Sequence, residues 1–207
     1  MASRHNVTIG ATYMRWEDPG VSNYKYNLVS FWDADGAKLL DYTKRHPVPV
    51  TEEFVVRGDI DIIGKGDSTN IGNFNTAICF DFDFPEFIRK STTSGLLIQT
   101  ANTWGIVGYF HGINSSFRAI ENGTYLARCG AKGPSGLWDP YGNLLSYQPR
   151  SGQDVLYFQV PYNPERIWTF YSAVGFVFDY ILYSVAILYL ILIFVMLKRR
   201  RASILVT

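Results

Sequence analysis

The residue types that most often carry out chemistry are few in this chain. It has two cysteines, Cys79 and Cys129, and three histidines, His5, His46 and His111. No histidine stands at metal-ligand spacing from a carboxylate or a cysteine, and neither His-Glu-x-x-His nor Cys-x-x-Cys occurs. The Gly-x-Ser-x-Gly sequence that would mark a serine nucleophile is also missing. The sequence therefore predicts a protein that is not an enzyme, with no catalytic residue, no metal site, no cofactor and no small-molecule substrate.

Covalent modification is the other chemistry that the sequence indicates. Cys79 and Cys129 could form one disulfide or remain two buried thiols, because pairing cannot be read from spacing. Three Asn-x-Ser/Thr sequons begin at Asn6, Asn114 and Asn122 and fall near predicted turns or strand ends. These features are typical of an N-glycosylated domain outside the cytosol.

The elements that would position these residues read as β-structure. Segments rich in β-branched and aromatic residues recur at short intervals between turn residues, and no long amphipathic helix is recognisable before residue 167. The clearest alternation is Cys79–Phe84, where phenylalanines would face the core and aspartates the solvent. The pattern predicts a mainly β domain, an antiparallel β-sandwich or barrel-like fold. The predicted strands are Val7–Met14, Tyr26–Trp32, Glu53–Val56, Ile60–Ile63, Thr76–Phe84, Gly95–Thr100, Gly105–Phe110, Thr124–Cys129 and Asp154–Val160.

One C-terminal transmembrane α-helix is predicted to follow this domain. Residues 167–197 contain a single charge, Asp179, and roughly twenty apolar residues suffice to cross a bilayer. Asp179 could reach the lipid headgroups or pair with a basic residue of a neighbouring helix. An aromatic belt and a basic cluster mark the two ends of the predicted span. They comprise Trp168, Tyr171, Tyr180 and Tyr183 at one end, and Lys198, Arg199, Arg200 and Arg201 at the other.

These boundaries predict a soluble domain over 1–160, a proline-containing linker over 161–166, a membrane span over 167–197 and a basic tail over 198–207. The positive-inside rule places the tail in the cytosol or the mitochondrial matrix and the β domain on the opposite side. No secretory signal is visible at the N-terminus. This combination favours the mitochondrial inner membrane over the cell surface or a viral envelope.

Charge excludes one class of partner. Residues 1–197 contain 15 basic and 18 acidic residues, and this balance does not suit nucleic acid. The basic tail suits anionic lipid headgroups.

The leading functional hypothesis is a non-enzymatic, single-pass accessory subunit of a larger membrane assembly, such as an organellar respiratory complex. Its partners would be membrane lipid and other membrane protein subunits, reached through an aromatic-rich domain. The alternative is a cell-surface or viral envelope glycoprotein with a disulfide-bonded ectodomain. A third hypothesis is an anchored enzyme whose active site assembles from residues far apart in the sequence.

Overall fold

The structure is a computed structural model that describes residues 1–103, 105–149 and 155–204. The side chains of residues 176, 179 and 199–204 lie outside this description. The chain divides into two compact units, with the division after Ser172. Each unit is considered by itself.

The first unit alternates strands and helices in a way that the sequence pattern did not indicate. Its helices are α1 (Ala2–His5), α2 (Pro85–Ser91) and α3 (Gly105–Asn122), and a short 3₁₀ helix covers Cys79–Asp83. The strands are β1 (Ile9–Trp16), β2 (Lys25–Trp32), β3 (Lys38–Thr43), β4 (Val55–Val56), β5 (Gly64–Ser68), β6 (Gly72–Ile78), β7 (Leu96–Ala101), β8 (Tyr125–Gly130), β9 (Ser135–Trp138) and β10 (Leu144–Gln148).

Two sheets are formed by these strands. The first has β2 paired with antiparallel β1 and β3 and, over two residues, with parallel β4. The second has the order β10-β9-β8-β7-β6-β5 and is mixed, because β6, β7 and β8 run parallel while the outer pairs are antiparallel. Strands β2 and β3 pack on β5 and β6, which joins the sheets in one core.

The prediction of an antiparallel β-sandwich or barrel is wrong. Three parallel strands need crossover connections, and the chain supplies them as the 3₁₀ helix with α2 and then as α3. Segment 79–84, predicted as the end of a strand, forms the 3₁₀ helix and the residue that follows it, and segment 105–110, predicted as a strand, begins α3. In the 3₁₀ helix Asp81 is fully buried and Phe84 is exposed, which inverts the predicted alternation.

Helix α3 escaped detection because its apolar residues do not face the core. The residues it buries are small or polar: Gly108, His111, Gly112, Ser115, Arg118, Ala119 and Asn122. Their spacing of three and four is the helical period, but their types are not those from which a buried face is recognised. The outer face instead carries large apolar side chains, including Phe110 and Phe117.

The segment predicted as a free linker is part of the first unit. The main chain near residues 163–167 hydrogen-bonds to the globular core, as in Ile167 N to Gly123 O at 2.8 Å and Gly95 N to Pro164 O at 3.1 Å. Arg166 donates from Nε to Asn122 O and from Nη1 to Thr92 O, both at 2.7 Å. Residues 163–167 therefore form a packed strap.

The second unit consists of helix α4, which begins at Phe170 and continues to Ile204. Within it, Tyr180–Lys198 is long and apolar enough to cross a membrane, and the side chains of this stretch are exposed. This criterion concerns length and composition alone.

Candidate active site

A cysteine stands at the point where the central strand β6 ends. Cys79 directly follows Ile78 and opens the 3₁₀ helix, and its backbone has φ +48°, in the left-handed region. Residues without glycine's freedom adopt this conformation at a cost of about 1–2 kcal/mol. Such strain is found where the surroundings hold a functional residue in place.

A buried lysine and a glutamate lie beside the cysteine. Lys44 follows β3 and has no exposed side-chain surface, and its Nζ donates to Glu52 Oε2 at 2.5 Å. The same carboxylate oxygen accepts from Val48 N at 2.6 Å, which fixes the loop between the two residues. A lysine buried in this way needs a charged partner, and Glu52 provides it.

All three side chains line one cavity between the two sheets. The cavity has a volume of about 580 Å³ and also contacts Asn102 and Cys129. It opens where the carboxyl ends of β6, β7 and β8 meet, the edge at which α/β sheets bind ligands. Among the described lining residues, Glu52 is the only carboxylate and Lys44 the only cation.

The environment of Cys79 sets its protonation. Burial raises the pKa of the Cys79 thiol, which is 8 % exposed, and Glu52 raises it further. Lys44 and Arg128 act in the opposite direction on the same pKa, because a nearby cation favours the thiolate. The sulfur is therefore a thiol in the resting site and becomes a nucleophile when its proton is removed.

A second layer of side chains holds the cysteine backbone from behind. Gln99 on β7 donates from Nε2 to Cys79 O at 3.2 Å, and its Oε1 accepts from Arg128 Nη1 at 2.5 Å. Arg128 also donates to Pro134 O at 3.0 Å. Burial lowers the pKa of Arg128 to about 10, so the guanidinium remains charged at neutral pH.

The sequence of residues 1–167 matches the model of the carbon-nitrogen hydrolase family. The chain belongs to the carbon-nitrogen hydrolase family. Its fold is accordingly that family's α-β-β-α sandwich with mixed sheets, which replaces the predicted β-sandwich.

Individual relatives agree with this assignment. Apolipoprotein N-acyltransferase 2 from Treponema denticola is 30% identical over 211 residues, covering 86% of this chain and 38% of that protein. The 2-oxoglutaramate amidase from Bacillus subtilis is 28% identical over 134 residues, covering 58% of this chain and 51% of the amidase. The chain thus spans about half or less of the length of these relatives.

A solved structure shows the same fold. An amidase from Nesterenkonia sp. AN1, a variant with acrylamide joined by Michael addition at its active site cysteine, superposes with a TM-score of 0.63. It is 20% identical, and the match covers 72% of this chain and 61% of the amidase. At this identity the likeness concerns the fold.

Membership of the carbon-nitrogen hydrolase family overturns the functional predictions. The chain is not the predicted non-enzymatic accessory subunit, nor the alternative surface glycoprotein, because its family consists of amidase and acyltransferase relatives. The prediction that it has no small-molecule substrate is wrong for the same reason. Of the three hypotheses, only the enzyme with a site assembled from distant residues agrees with these findings.

The disulfide considered between the two cysteines is not formed. Cys79 and Cys129 are both free thiols, the first buried and the second exposed. Strand β7 lies between β6 and β8, with Thr100 paired to both Ile78 and Cys129. Two strand spacings amount to about 9–10 Å, which exceeds the Cα separation that a disulfide spans.

The three sequons are placed very differently. Asn6 is exposed at the end of α1, Asn114 is half-buried in α3 and donates to Asp83, and Asn122 is fully buried. Asn122 Nδ2 donates to Arg118 O at 2.9 Å. A glycan on Asn122 would require the domain to open, so the sequence motif at this position does not indicate a modification of the folded protein.

The remaining predicted residues belong to the C-terminal helix and its approach. Trp168, Tyr180 and Tyr183 are exposed and Tyr171 is partly exposed, while Lys198 Nζ lies 5.2 Å from the Phe194 ring centre. The side chain of Asp179 and those of Arg199, Arg200 and Arg201 lie outside the described residues. Their predicted roles stay predictions.

The residues that form the site were missed because each stands alone in the sequence. Cys79 was tested for disulfide and metal chemistry, and Lys44 and Glu52 were not considered. One local signal was available: Pro85 is at the first position of α2, a favoured position for proline, so a helix begins just after the supposed strand. A cysteine on a strand-to-helix turn is a recognisable nucleophile position.

Proposed function

We propose that the chain carries out acyl transfer through a covalent intermediate on Cys79. The Cys79 sulfur loses its proton and attacks the carbonyl carbon of an amide. The C–N bond then breaks, the amine leaves with a proton, and a thioester remains. Water or a second amine attacks this thioester, which frees the sulfur and completes hydrolysis or acyl transfer.

The geometry assigns a role to each of the other two residues. Lys44 presents a fixed positive charge to the negative charge that develops on the carbonyl oxygen, in a cavity that is largely shielded from water. Glu52 holds the lysine in place and, as the lining carboxylate among the described residues, is the candidate acceptor of the thiol proton. The observation that carries the proposal is the strained, buried Cys79 in one cavity with the Lys44–Glu52 pair.

A covalent probe tests this assignment. Fluoroacetamide adds its acetamide moiety at the active site cysteine of the Nesterenkonia amidase. The full chain in detergent should therefore acquire the same adduct on the peptide that contains Cys79, as the sulfur displaces fluoride. Mass spectrometry of the digested protein detects it.

Matched variants show whether the reaction belongs to the site. Cys79→Ser should abolish the adduct, Lys44→Met should slow its formation at least tenfold, and Cys129→Ser should leave it unchanged. A wild-type protein that modifies only Cys129, or neither cysteine, contradicts the proposal.

Acyl transfer to an amine is a second candidate beside hydrolysis, and one further cavity favours it. A mostly apolar cavity of about 1280 Å³ shares Ile98, Cys129 and Ala131 with the site, and its volume suits a long apolar acyl group. Incubation with p-nitrophenyl acetate and palmitate distinguishes the two activities. Preferential acylation of Cys79 by the palmitate favours acyl transfer, and equal or lower acylation favours hydrolysis of small amides.

We further propose that α4 anchors the protein in a membrane. The length and apolar composition of Tyr180–Lys198 support this proposal, as do the exposed aromatic residues near its start. The positive-inside rule would place Lys198 and the arginines after it on the cytosolic or matrix side.

A further inference from the structure

The side chain of Asp81 joins the segment that carries the nucleophile to the segment that carries the lysine. Asp81 is the second residue after Cys79 and is fully buried. Its Oδ2 accepts from Tyr42 Oη at 2.8 Å, and its Oδ1 accepts from His46 N at 2.8 Å and contacts His46 Nδ1 at 3.0 Å. Two oxygens of one carboxylate therefore hold both flanks of Lys44.

The same carboxylate also holds the turn at the nucleophile. Asp81 Oδ2 accepts from Ile78 N at 3.1 Å, directly before the strained φ of Cys79. The His46 ring in turn stacks on Phe84, with the ring centres 3.9 Å apart. The beginning and the end of the 3₁₀ helix are thus both fixed to the loop after β3.

Asp81 does not line the cavity that contains Cys79 and has no exposed surface, so it does not contact a substrate there. An effect on the reaction must pass through the residues it holds. Tyr42 and His46 are the residues two before and two after Lys44, and a shift of either would displace the lysine.

We propose that Asp81 is a positioning residue, which keeps the Lys44 ammonium and the Cys79 sulfur at a fixed separation through Tyr42, His46 and the Ile78 amide. The inference concerns the site of the proposed function and rests on that function only for the identity of the reaction. Its physical content is that the influence of Lys44 on the thiol depends on Asp81.

The charges around Cys79 make this dependence measurable. Lys44 and Glu52 face the thiol from the loop after β3, and Arg128 faces it from β8. Asp81 and Asp83 lie on its own 3₁₀ helix; His111 Nε2 on α3 lies 3.3 Å from Asp83, and Cys129 lines the same cavity. Removing the Asp81 charge alone would favour the thiolate, whereas releasing Lys44 would disfavour it, so the two effects have opposite signs.

The experiment measures the alkylation rate of Cys79 by iodoacetamide in the full chain in detergent, between pH 6 and pH 10. Cys129 in the same molecule serves as the internal reference, and mass spectrometry of the two cysteine peptides gives both rates. In Asp81→Asn we expect the midpoint of the Cys79 pH profile to rise by about one unit, which is a roughly tenfold slower rate below the midpoint. The Cys129 profile should not move.

A double-variant comparison separates positioning from a general loss of structure. Lys44→Met should slow Cys79 alkylation roughly tenfold in the wild-type background and less than about twofold in Asp81→Asn, because the lysine is already displaced. Asp81→Glu, which keeps the charge, should recover part of the rate. A downward or absent shift in Asp81→Asn, or an equal effect of Lys44→Met in both backgrounds, overturns the proposal.

A milder variant keeps the test decisive if Asp81→Asn does not fold. Tyr42→Phe removes one hydroxyl and one of the links to Asp81, and it should raise the midpoint by a smaller amount. Tyr24→Phe, an exposed tyrosine on the loop before β2, is the matched control and should leave the profile unchanged. An unshifted Tyr42→Phe profile contradicts the inference.

The alkylation assay needs no substrate turnover, so it stands apart from the proposed function. A protein that shows the coupling but forms no acyl intermediate would retain the positioning role and lose the function. Where an amide is hydrolysed, Asp81→Asn should lower kcat while KM stays within about twofold, because Asp81 contributes nothing to substrate binding.

Discussion

At Cys79, a strained backbone is held by side chains that come from two other strands. Gln99 supports the carbonyl group of Cys79, and the buried Arg128 supports Gln99. Arg128 Nη2 has no hydrogen-bond partner among the described residues, so this cation depends on few contacts. Removing one of those contacts leaves a buried charge uncompensated, which costs about 3–5 kcal/mol.

Gln99→Leu tests this dependence. We expect a loss of about 3 kcal/mol or more in the free energy of unfolding, measured with a chemical denaturant, and slower alkylation of Cys79. The double variant with Arg128→Met should be less destabilised than the sum of the two single variants, because no unpaired charge remains. Gln159→Leu at an exposed position is the control, and additivity in the double variant would contradict the explanation.

Glu121, at the end of α3, predicts a pH dependence of stability. Burial raises its pKa to about 7, with Arg118 acting against the shift through a contact of 2.9 Å. An acid whose pKa is higher in the folded than in the unfolded state stabilises the fold at low pH, and this contribution is lost as the pH rises from about 4.5 to about 7.

The free energy of unfolding should therefore fall between pH 5 and pH 8, by about 1–3 kcal/mol once solvent screening is allowed for. Glu121→Gln removes the ionisation and should flatten that part of the profile. Denaturant titrations at both pH values provide the measurement. A wild-type protein as stable at pH 8 as at pH 5 would show that the Glu121–Arg118 pair offsets the burial.

At the scale of elements, α3 shows how packing can reverse the usual pattern of residue types. Gly112 lies against the loop before β9, and a Cβ there would come within 2.6 Å of Pro134 Cγ. Phe117, on the opposite side of the helix, is 50% exposed. The glycine is thus the buried residue and the phenylalanine the surface residue.

A matched pair of variants follows from this arrangement. Gly112→Val should cost about 1–3 kcal/mol in unfolding free energy, because the added methyl groups overpack the contact with Pro134. Phe117→Ser should change stability by less than about 0.5 kcal/mol, as expected for a surface position. Equal destabilisation by both variants, measured by thermal unfolding, would mean that the outer face of α3 is covered in the folded protein.

This reversal also explains how much the sequence could reveal. Strands β1 and β2 were predicted nearly in place because their alternation and turn residues are local signals. Helix α3 and the 3₁₀ helix were missed because long-range packing, not periodicity, decides which of their faces is buried. The site was missed because Lys44, Glu52 and Cys79 are brought together by the pairing of distant strands, which spacing in the sequence does not encode.

For the whole molecule, the two units raise separate questions. The first unit contains the candidate active site and ends with the strap at residues 163–167, where Arg166 makes two hydrogen bonds to core carbonyl groups. The second unit is a helix whose exposed apolar stretch, Tyr180–Lys198, has no packing partner in the described chain. An exposed apolar surface of this length is costly in water, so the proposed membrane insertion supplies the missing apolar environment.

Membrane anchoring predicts a specific fractionation. The full chain expressed in cells should remain in the membrane pellet after alkaline carbonate extraction, because a spanning helix is not released by loss of surface electrostatic contacts. Leu188→Arg places a charge near the middle of the apolar stretch at a cost of several kcal/mol and should shift the protein into the extract or into aggregates. Leu188→Ile, which preserves the apolar character, should behave as the wild type. A wild-type protein found in the carbonate extract would show that α4 is covered by protein instead of lipid, and the Cys79 chemistry would then have to be sought in a soluble assembly.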